Sequence, residues 1–130
     1  MPIIAALMLW EIFLIILLPV SGNNCTTEDI AIWKDNAVFS SRFASAAQRS
    51  VGVRSVATRM FEQWYPTMTL SCIDCHVDSI KCGVKHCIVA CTNPKSSACT
   101  RCIHTWCIPK YKLCIGCSDQ DLPLPPTEWT

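Results

Sequence analysis

The chain has 130 residues, enough for one domain, and 11 of them are cysteines. The formal net charge is +1. Aromatic residues do not alternate with the basic ones, and an oxidising compartment, which the cysteine content indicates, holds little nucleic acid, so we expect no nucleic-acid partner. The hydrophobic content of 51% includes the cysteines and an apolar N-terminus. Without them the core is small and marginal on burial alone, which favours a disulfide-stapled scaffold.

Residues 1–22, MPIIAALMLWEIFLIILLPVSG, are almost all apolar. Small residues at Val20 and Gly22 predict a signal peptide that is cleaved before Asn23. The alternative is a retained membrane anchor, because an apolar run of about 20 residues can span a bilayer. Glu11 weakens that alternative, since a carboxylate at the bilayer centre costs about 3 kcal/mol.

Either alternative places the cysteines outside the cytoplasm, where thiols pair in an oxidising environment. We therefore expect a secreted or extracytoplasmic protein that contacts a membrane only if residues 1–22 are retained as an anchor. The sequence Asn24-Cys25-Thr26 is a glycosylation sequon, which makes Asn24 a candidate glycosylation site.

Beyond the leader, Pro66 separates a Cys-poor helical pair, residues 23–66, from a Cys-rich segment, residues 67–117. Thr26 and Asp29 have the spacing of a capping box and predict the first helix start. That helix carries apolar residues at helical spacing: Ile30, Trp33, Ala37 and Ala44. The second helix has apolar residues at offsets of 3, 4, 7, 8 and 11: Val53, Val56, Ala57, Met60, Phe61 and Trp64.

The Cys-rich segment predicts helical hairpins with the cysteines on their inner faces. Pro109 begins the last short helix, and strand signals are poor. Before Pro109, residues at helical spacing form three faces. They are Leu70, Ile73, Val77 and Ile80, then Val84, Cys87, Ile88 and Cys91, then Cys99, Cys102, Ile103, Trp106 and Cys107. The expected fold is an all-α, disulfide-stapled bundle of five or six short helices. It is followed by a Pro-rich acidic tail, residues 118–130, expected to be extended and solvated.

Cys-x-x-Cys pairs allow three chemistries besides disulfides. Two pairs together can hold structural zinc, and Cys72-Ile73-Asp74-Cys75-His76 matches the covalent haem motif C-x-x-C-H. A thioredoxin-like redox pair would need a βαβ setting that the sequence does not offer. A haem or metal protein using Cys72, Cys75 and His76 therefore stays an alternative to plain disulfides, which the dense cysteine spacing favours. We expect no cofactor.

An odd cysteine count leaves one thiol unpaired, and about 945 pairings of ten cysteines remain open. Cys117, at the edge of the domain beside the tail, is the candidate free thiol. The disulfide framework then contains Cys25, Cys72, Cys75, Cys82, Cys87, Cys91, Cys99, Cys102, Cys107 and Cys114.

The run from Leu70 to Cys117, with SCIDC, KHC, CTNPKSSACTRC and CIPKYKLC, resembles small secreted helical cysteine-rich proteins of marine unicellular algae. The opening CTTEDIAIW resembles the start of the same domain, so the resemblance covers roughly residues 25–116. It implies a disulfide-stapled helical domain and no particular activity. Those proteins tend to carry further cysteines where this chain has Ala46 to Met60, and their pattern usually stops at the position of Cys114.

No nucleophile elbow and no phosphate loop is present, and we expect no enzyme and no catalytic residue. The histidines His76, His86 and His104 are expected to be exposed helix residues. Between Ser79 and Ser118 there are bases but no acid. These bases form a candidate binding face for an anionic surface: Lys81, Lys85, Lys95, Arg101, Lys110 and Lys112.

The function that fits these features best is a secreted, non-enzymatic interaction module for signalling, defence or toxin-like binding. Its expected partner is a protein or an anionic surface. The runner-up is a single-pass, membrane-anchored accessory subunit of a larger complex on the non-cytoplasmic side.

Overall fold

The computed structural model describes residues 24–34 and 36–123, so the predicted leader and residues 124–130 lie outside it. Within that part the chain forms helices and no strand, which confirms the predicted all-α, disulfide-stapled bundle. The α-helices are α1 (Thr27–Trp33), α2 (Ala37–Ser50), α3 (Arg54–Trp64), α4 (Leu70–Cys87), α5 (Ser97–Trp106) and α6 (Ile108–Ile115). Two 3-10 turns cover Ala90–Thr92 and Asp119–Asp121.

The predicted capping box begins α1. The Thr26 hydroxyl accepts from the Asp29 N–H at 3.1 Å, and Asp29 accepts from the Thr26 N–H at 2.9 Å. Asp29 also accepts from the N–H and the hydroxyl of Thr69, the N-cap residue of α4, at 3.0 and 2.6 Å. Burial by itself raises the pKa of Asp29, but these hydrogen bonds outweigh it and hold the pKa below its usual value. One carboxylate thus joins the starts of two helices.

Two predicted helix boundaries are wrong. The pattern from Ile30 to Ala44 is interrupted near Asn36, whose side chain accepts from the Val38 N–H at 3.0 Å and caps α2. Conversely, the two faces predicted on either side of Gly83 belong largely to one helix, α4. Gly83 lies inside this helix where α4 packs closely on α5, since a Cβ atom there would lie 3.2 Å from Cδ1 of Ile103.

Several residues at the edges of the predicted apolar faces are solvent-exposed rather than buried. On α3, only Ala57 and Phe61 are fully buried, because α3 packs along a narrow strip against α2 and α4. The exposed fractions of the edge residues are 51% for Val53, 42% for Val56, 59% for Leu70, 60% for Ile88 and 53% for Trp106.

His76 is not the exposed residue that we predicted: its exposed fraction is 0% and it lies at the centre of the core. Its imidazole stacks on Phe61 with ring centroids 5.4 Å apart. Four further aromatic rings, from α1, α2 and α6, surround it at 5.1–5.8 Å: Trp33, Phe39, Phe43 and Tyr111.

Two contacts define the proton position on this imidazole. Nδ1 lies 2.7 Å from the Tyr111 hydroxyl, and Nε2 lies 3.6 Å from Sγ of Cys72. The Cys72 sulfur belongs to a disulfide and carries no proton. Nε2 must therefore carry the proton and Tyr111 must donate to Nδ1, since only this tautomer gives both nitrogens a partner. Burial lowers the pKa of His76 to about 3, although the charge of Asp29 opposes the shift.

Four disulfides form a ladder joining α4 and the residues just after it to α5 and α6. Starting at Cys75, the cysteines on the α4 side follow at intervals of 7, 5 and 4 residues toward the C-terminus. Starting at Cys114, their partners follow at intervals of 7, 5 and 3 residues toward the N-terminus. Nearly equal steps keep bonded cysteines level in an antiparallel helical hairpin. The pairs are Cys75–Cys114, Cys82–Cys107, Cys87–Cys102 and Cys91–Cys99, and a fifth pair, Cys25–Cys72, joins the N-terminal segment to α4.

Residues 118–123 do not form the extended start of a tail that we predicted, although Ser118, Asp119 and Gln120 are exposed. The turn Asp119–Asp121 packs back on the bundle, where the carbonyl oxygen of Asp121 accepts from Nε1 of the buried Trp33 at 2.7 Å. Lys34 lies 3.6 Å from the Asp121 carboxylate, and Leu122 packs against the core. The buried indole N–H requires an acceptor, and this turn supplies it.

We expect the free energy of unfolding to fall in mild acid because of His76. The unfolded chain binds a proton at this histidine below a pKa of about 6.5, whereas the folded chain does so only below about 3. Stability is therefore lost as the pH falls between these two values, by about 2 kcal/mol from pH 7 to pH 5. Urea unfolding of the oxidised protein at the two pH values measures this loss. Asp29, with a lowered pKa, stays ionised in both states over that range.

His76→Gln serves as the control, because it keeps a polar group near Tyr111 and has no proton to gain. It should be less stable than the wild type at pH 7 but show a much flatter pH dependence. A wild-type stability that is flat between pH 7 and pH 5 would contradict the buried, neutral histidine.

The end of α2 contains a strained residue whose replacement should stabilise the fold. Val51 has a φ of 48°, a left-handed conformation that a β-branched residue adopts at a cost of about 1–2 kcal/mol. Asn tolerates this region, so Val51→Asn should raise the free energy of unfolding by about 1 kcal/mol in urea. Val38→Asn, at an exposed right-handed position of α2, should give no gain, and equal effects of the two substitutions would exclude strain at Val51.

Candidate functional site

The haem motif does not fit a haem site. Covalent attachment needs two free thiols and an accessible histidine. Cys72 is bonded to Cys25 and Cys75 is bonded to Cys114, so neither sulfur is free. His76 has no exposed surface. We therefore assign these three residues to the core and the disulfide framework.

A buried trio of potential metal ligands also lies at this point. The ligand atoms of Cys25, Cys72 and His76 lie within 4.8 Å of one another. However, the two sulfurs share a disulfide, and a metal would require them as thiolates. Cys75, which the sequence hypothesis placed in the same set, is bonded elsewhere. The oxidised protein therefore offers no zinc site here.

The surface of the Cys-rich half contains an exposed aromatic stack that the sequence analysis missed. The rings of His86, on α4, and Trp106, on α5, lie 4.7 Å apart with an interplanar angle of 3°. Both residues are exposed, and Trp106 keeps 53% of its surface in solvent. His104, on the same helix, is also exposed. Of the three histidines, two are therefore on the surface as predicted, and one of these contacts an aromatic ring.

Disulfides hold both halves of this stack. His86 directly precedes Cys87, which is bonded to Cys102, and Trp106 directly precedes Cys107. Sγ of Cys102 lies 3.4 Å from the carbonyl oxygen of His86, and the corresponding distance from Cys82 to Trp106 is 3.5 Å. The backbone under each ring is thus fixed by a covalent link between α4 and α5. The sequence contained a signal for this stack, since His86 and Trp106 each lie directly beside a framework cysteine.

The six bases of the candidate binding face lie on successive elements of the Cys-rich half. Lys112 is partly buried and forms an ion pair with Asp119. Arg101 lies two positions from both Cys99 and Ile103, so it points away from the side of α5 that packs on α4. The five other than Lys112 are exposed: Lys81 and Lys85 on α4, Lys95 before α5, Arg101 on α5 and Lys110 on α6.

The predicted glycosylation site, Asn24, is exposed but its backbone is held between two helices. Its N–H donates to the Cys114 carbonyl oxygen at 3.1 Å, and its own carbonyl oxygen accepts from the Ser71 hydroxyl at 2.8 Å. Cys25, the middle residue of the sequon, is bonded to Cys72. Glycosylation of Asn24 stays a prediction, and a glycan would have to be attached before this segment is fixed.

The ten framework cysteines lie in the five disulfides, and Cys117 keeps a free thiol at an intermediate degree of burial. Burial raises the pKa of the Cys117 thiol, the charge of Asp121 adds to the shift, and Lys112 opposes it. A raised pKa means little thiolate at neutral pH and hence slow reaction with electrophiles.

Comparisons of this chain with protein-family models, with curated proteins and with solved structures give no match. Among the described residues, no helix combines the length and the apolarity that a membrane crossing requires. The class of the protein is therefore defined by its own structure, a helical bundle with a five-disulfide framework.

We expect iodoacetamide, applied without reduction, to label Cys117 and no other cysteine. The reaction at neutral pH should be slower than that of an unstructured cysteine, because the pKa is raised. Lys112→Gln removes the opposing charge and should slow the reaction further, whereas a merely loosened helix end would speed it up. Mass spectrometry of the peptides measures both effects, and labelling at several cysteines would contradict the framework.

Proposed function

We propose that this protein is an extracytoplasmic, non-enzymatic interaction module that binds an acidic segment of a partner protein through the His86–Trp106 stack. The observation that carries the proposal is the stack itself, two parallel rings at 4.7 Å, exposed and fixed by disulfides. Exposed tryptophans on a rigid surface are typical centres of binding energy, because little side-chain entropy is lost on association.

The charge around the stack supports an acidic partner. The sequence from Ser79 to Ser118 contains no acidic residue. A surface with bases and no acids raises the local concentration of negatively charged groups. Aromatic rings on a stretch of chain that contains bases and no acids therefore match a segment that combines acidic and apolar side chains.

The location and the non-enzymatic role rest on two further arguments. Five disulfides in a small domain are stable outside the reducing cytoplasm, which agrees with the secretory leader that the sequence predicts at residues 1–22. Three buried titratable groups, Asp29, His76 and Tyr111, make their hydrogen bonds within the core, out of reach of a substrate.

Selection from a phage library of random peptides on the immobilised, oxidised protein tests the proposal. We expect the selected peptides to be enriched in acidic and apolar residues. Trp106→Ala should weaken the best peptide by at least about 30-fold, since loss of a binding centre costs about 2 kcal/mol or more. His86→Ala should weaken it to a smaller extent.

His104→Ala is the matched control, because His104 is exposed on the same helix and takes no part in the stack. It should bind the selected peptide as the wild type does. Selection without acidic enrichment, or equal binding by Trp106→Ala, would refute the proposal. Far-UV circular dichroism of each variant establishes that the fold is retained.

A further inference from the structure

A second surface lies where α4 meets the turn between α2 and α3. Lys81 lies three residues before Val84 and four before Lys85. Ile88, the C-cap residue of α4, lies four residues after Val84 and three after Lys85, so these residues share one side of the helix. Lys81 and Lys85 are exposed, and Ile88 keeps 60% of its surface in solvent. This side of α4 therefore alternates aliphatic and basic side chains.

The turn between α2 and α3 packs onto the same side of α4. A Cβ atom at Gly52 would lie 3.3 Å from the side chain of Val84, so glycine lets the turn come this close without a tight contact. The two valines that flank Gly52 remain exposed, with 64% of Val51 and 51% of Val53 in solvent. The turn thus brings two more aliphatic side chains to the helix.

The conformation of Val51 points to a role for its side chain. A β-branched residue with a φ of 48° is strained, and its exposed side chain gains nothing from burial in compensation. Asn or Gly would end α2 at lower cost. Strain kept at an exposed apolar position is a reason to look for a ligand that covers it.

The charges around this surface are positive and available. Arg49, Lys81 and Lys85 are exposed, and none of them has an ion-pair partner among the described residues. The nearest acids on this side of α4, Asp74 and Asp78, are both ion-paired with Arg54. The surface therefore presents an excess of positive charge beside its aliphatic residues.

We infer that Val51, Val53 and Ile88, with Lys81 and Lys85, form a docking surface for an anionic phospholipid bilayer. We call these five residues the valine–lysine patch. Aliphatic side chains enter the boundary between headgroups and acyl chains while bases bind the anionic headgroups. The valines project from a turn rather than line a groove, which suits a planar interface better than a helix or peptide. This role goes beyond the binding proposed for the stack and does not depend on it.

Sedimentation of the mature, oxidised protein with vesicles tests the inference. Vesicles of phosphatidylcholine with phosphatidylserine should bind the protein, and vesicles of phosphatidylcholine alone should bind it far less. Each base near an anionic surface raises the partition coefficient roughly fivefold. The double substitution Lys81→Gln with Lys85→Gln should therefore lower the partition coefficient about 25-fold. Lys95→Gln with Lys110→Gln makes the same charge change outside the patch and should lower it by less than about threefold.

The apolar contribution is tested by Val51→Asn with Val53→Ser. This variant should be no less stable than the wild type, because it removes strain at residue 51 and provides a side-chain cap at residue 53, the N-cap position of α3. Its partition coefficient should nevertheless fall about tenfold, since two aliphatic side chains no longer enter the bilayer. Loss of binding in a stabilised protein separates lipid contact from folding.

Three results would overturn the inference. One is equal binding to the two vesicle types, and another is unchanged binding by Val51→Asn with Val53→Ser, which would leave only diffuse charge attraction. The third is binding of the selected acidic peptides through the patch in place of vesicles, which would make it a protein interface. Trp106→Ala should bind vesicles as the wild type does, so failure at the stack and failure at the patch are distinguished.

Discussion

The burial of a neutral imidazole is the constraint on which most of this fold depends. His76 can stay in the core only while every approach to it is closed, and the rings that close it come from four other helices: Trp33 from α1, Phe39 from α2, Phe61 from α3 and Tyr111 from α6. Tyr111 donates to the one nitrogen that can accept. Displacing any of these helices would expose an unsatisfied polar ring or admit water, so the histidine penalises alternative packings.

Helix α5 contributes no ring to this cluster and is held in another way. Its buried face is small, with Cys99 as its buried residue, and disulfides take the place of a core. The pairs Cys82–Cys107 and Cys87–Cys102 fix it and its C-terminal end to α4, and Cys91–Cys99 fixes its start to the turn Ala90–Thr92. Because covalent links hold α5, apolar surface such as that of Trp106 need not be buried for stability. A helix fixed by staples can therefore leave its aromatic residue available to a partner.

The two proposed surfaces follow from this division of the bundle. At the stack, disulfides fix the backbone beneath two exposed rings. At the valine–lysine patch, packing fixes the turn through the contact of Gly52 with Val84, and Val51 is held outward at a conformational cost. Rigid presentation lowers the entropy lost on binding in both cases. Under these two proposals the framework serves recognition as well as stability.

The sequence by itself determined the local structure. Thr26 and Asp29 specify the start of α1, Pro109 lies at the start of α6, and apolar spacing predicts helices throughout. The mirrored cysteine spacings also contain the ladder, since 7 and 5 residues forward from Cys75 match 7 and 5 residues back from Cys114. The spacings predict these disulfides only if the chain is assumed to form an antiparallel helical hairpin. Without that assumption, many pairings of the cysteines stay open.

Only the tertiary structure decided which polar and apolar side chains are buried. His76 lies four residues from both Cys72 and Ile80, on the buried side of α4, yet a histidine there is favourable only because Tyr111, 35 residues away, supplies its hydrogen bond. Val53 fits the helical pattern and remains exposed, because no element within residues 24–34 and 36–123 covers that edge of α3. Periodicity reports the faces of a helix, whereas burial depends on what packs against them, and that is set by long-range contacts.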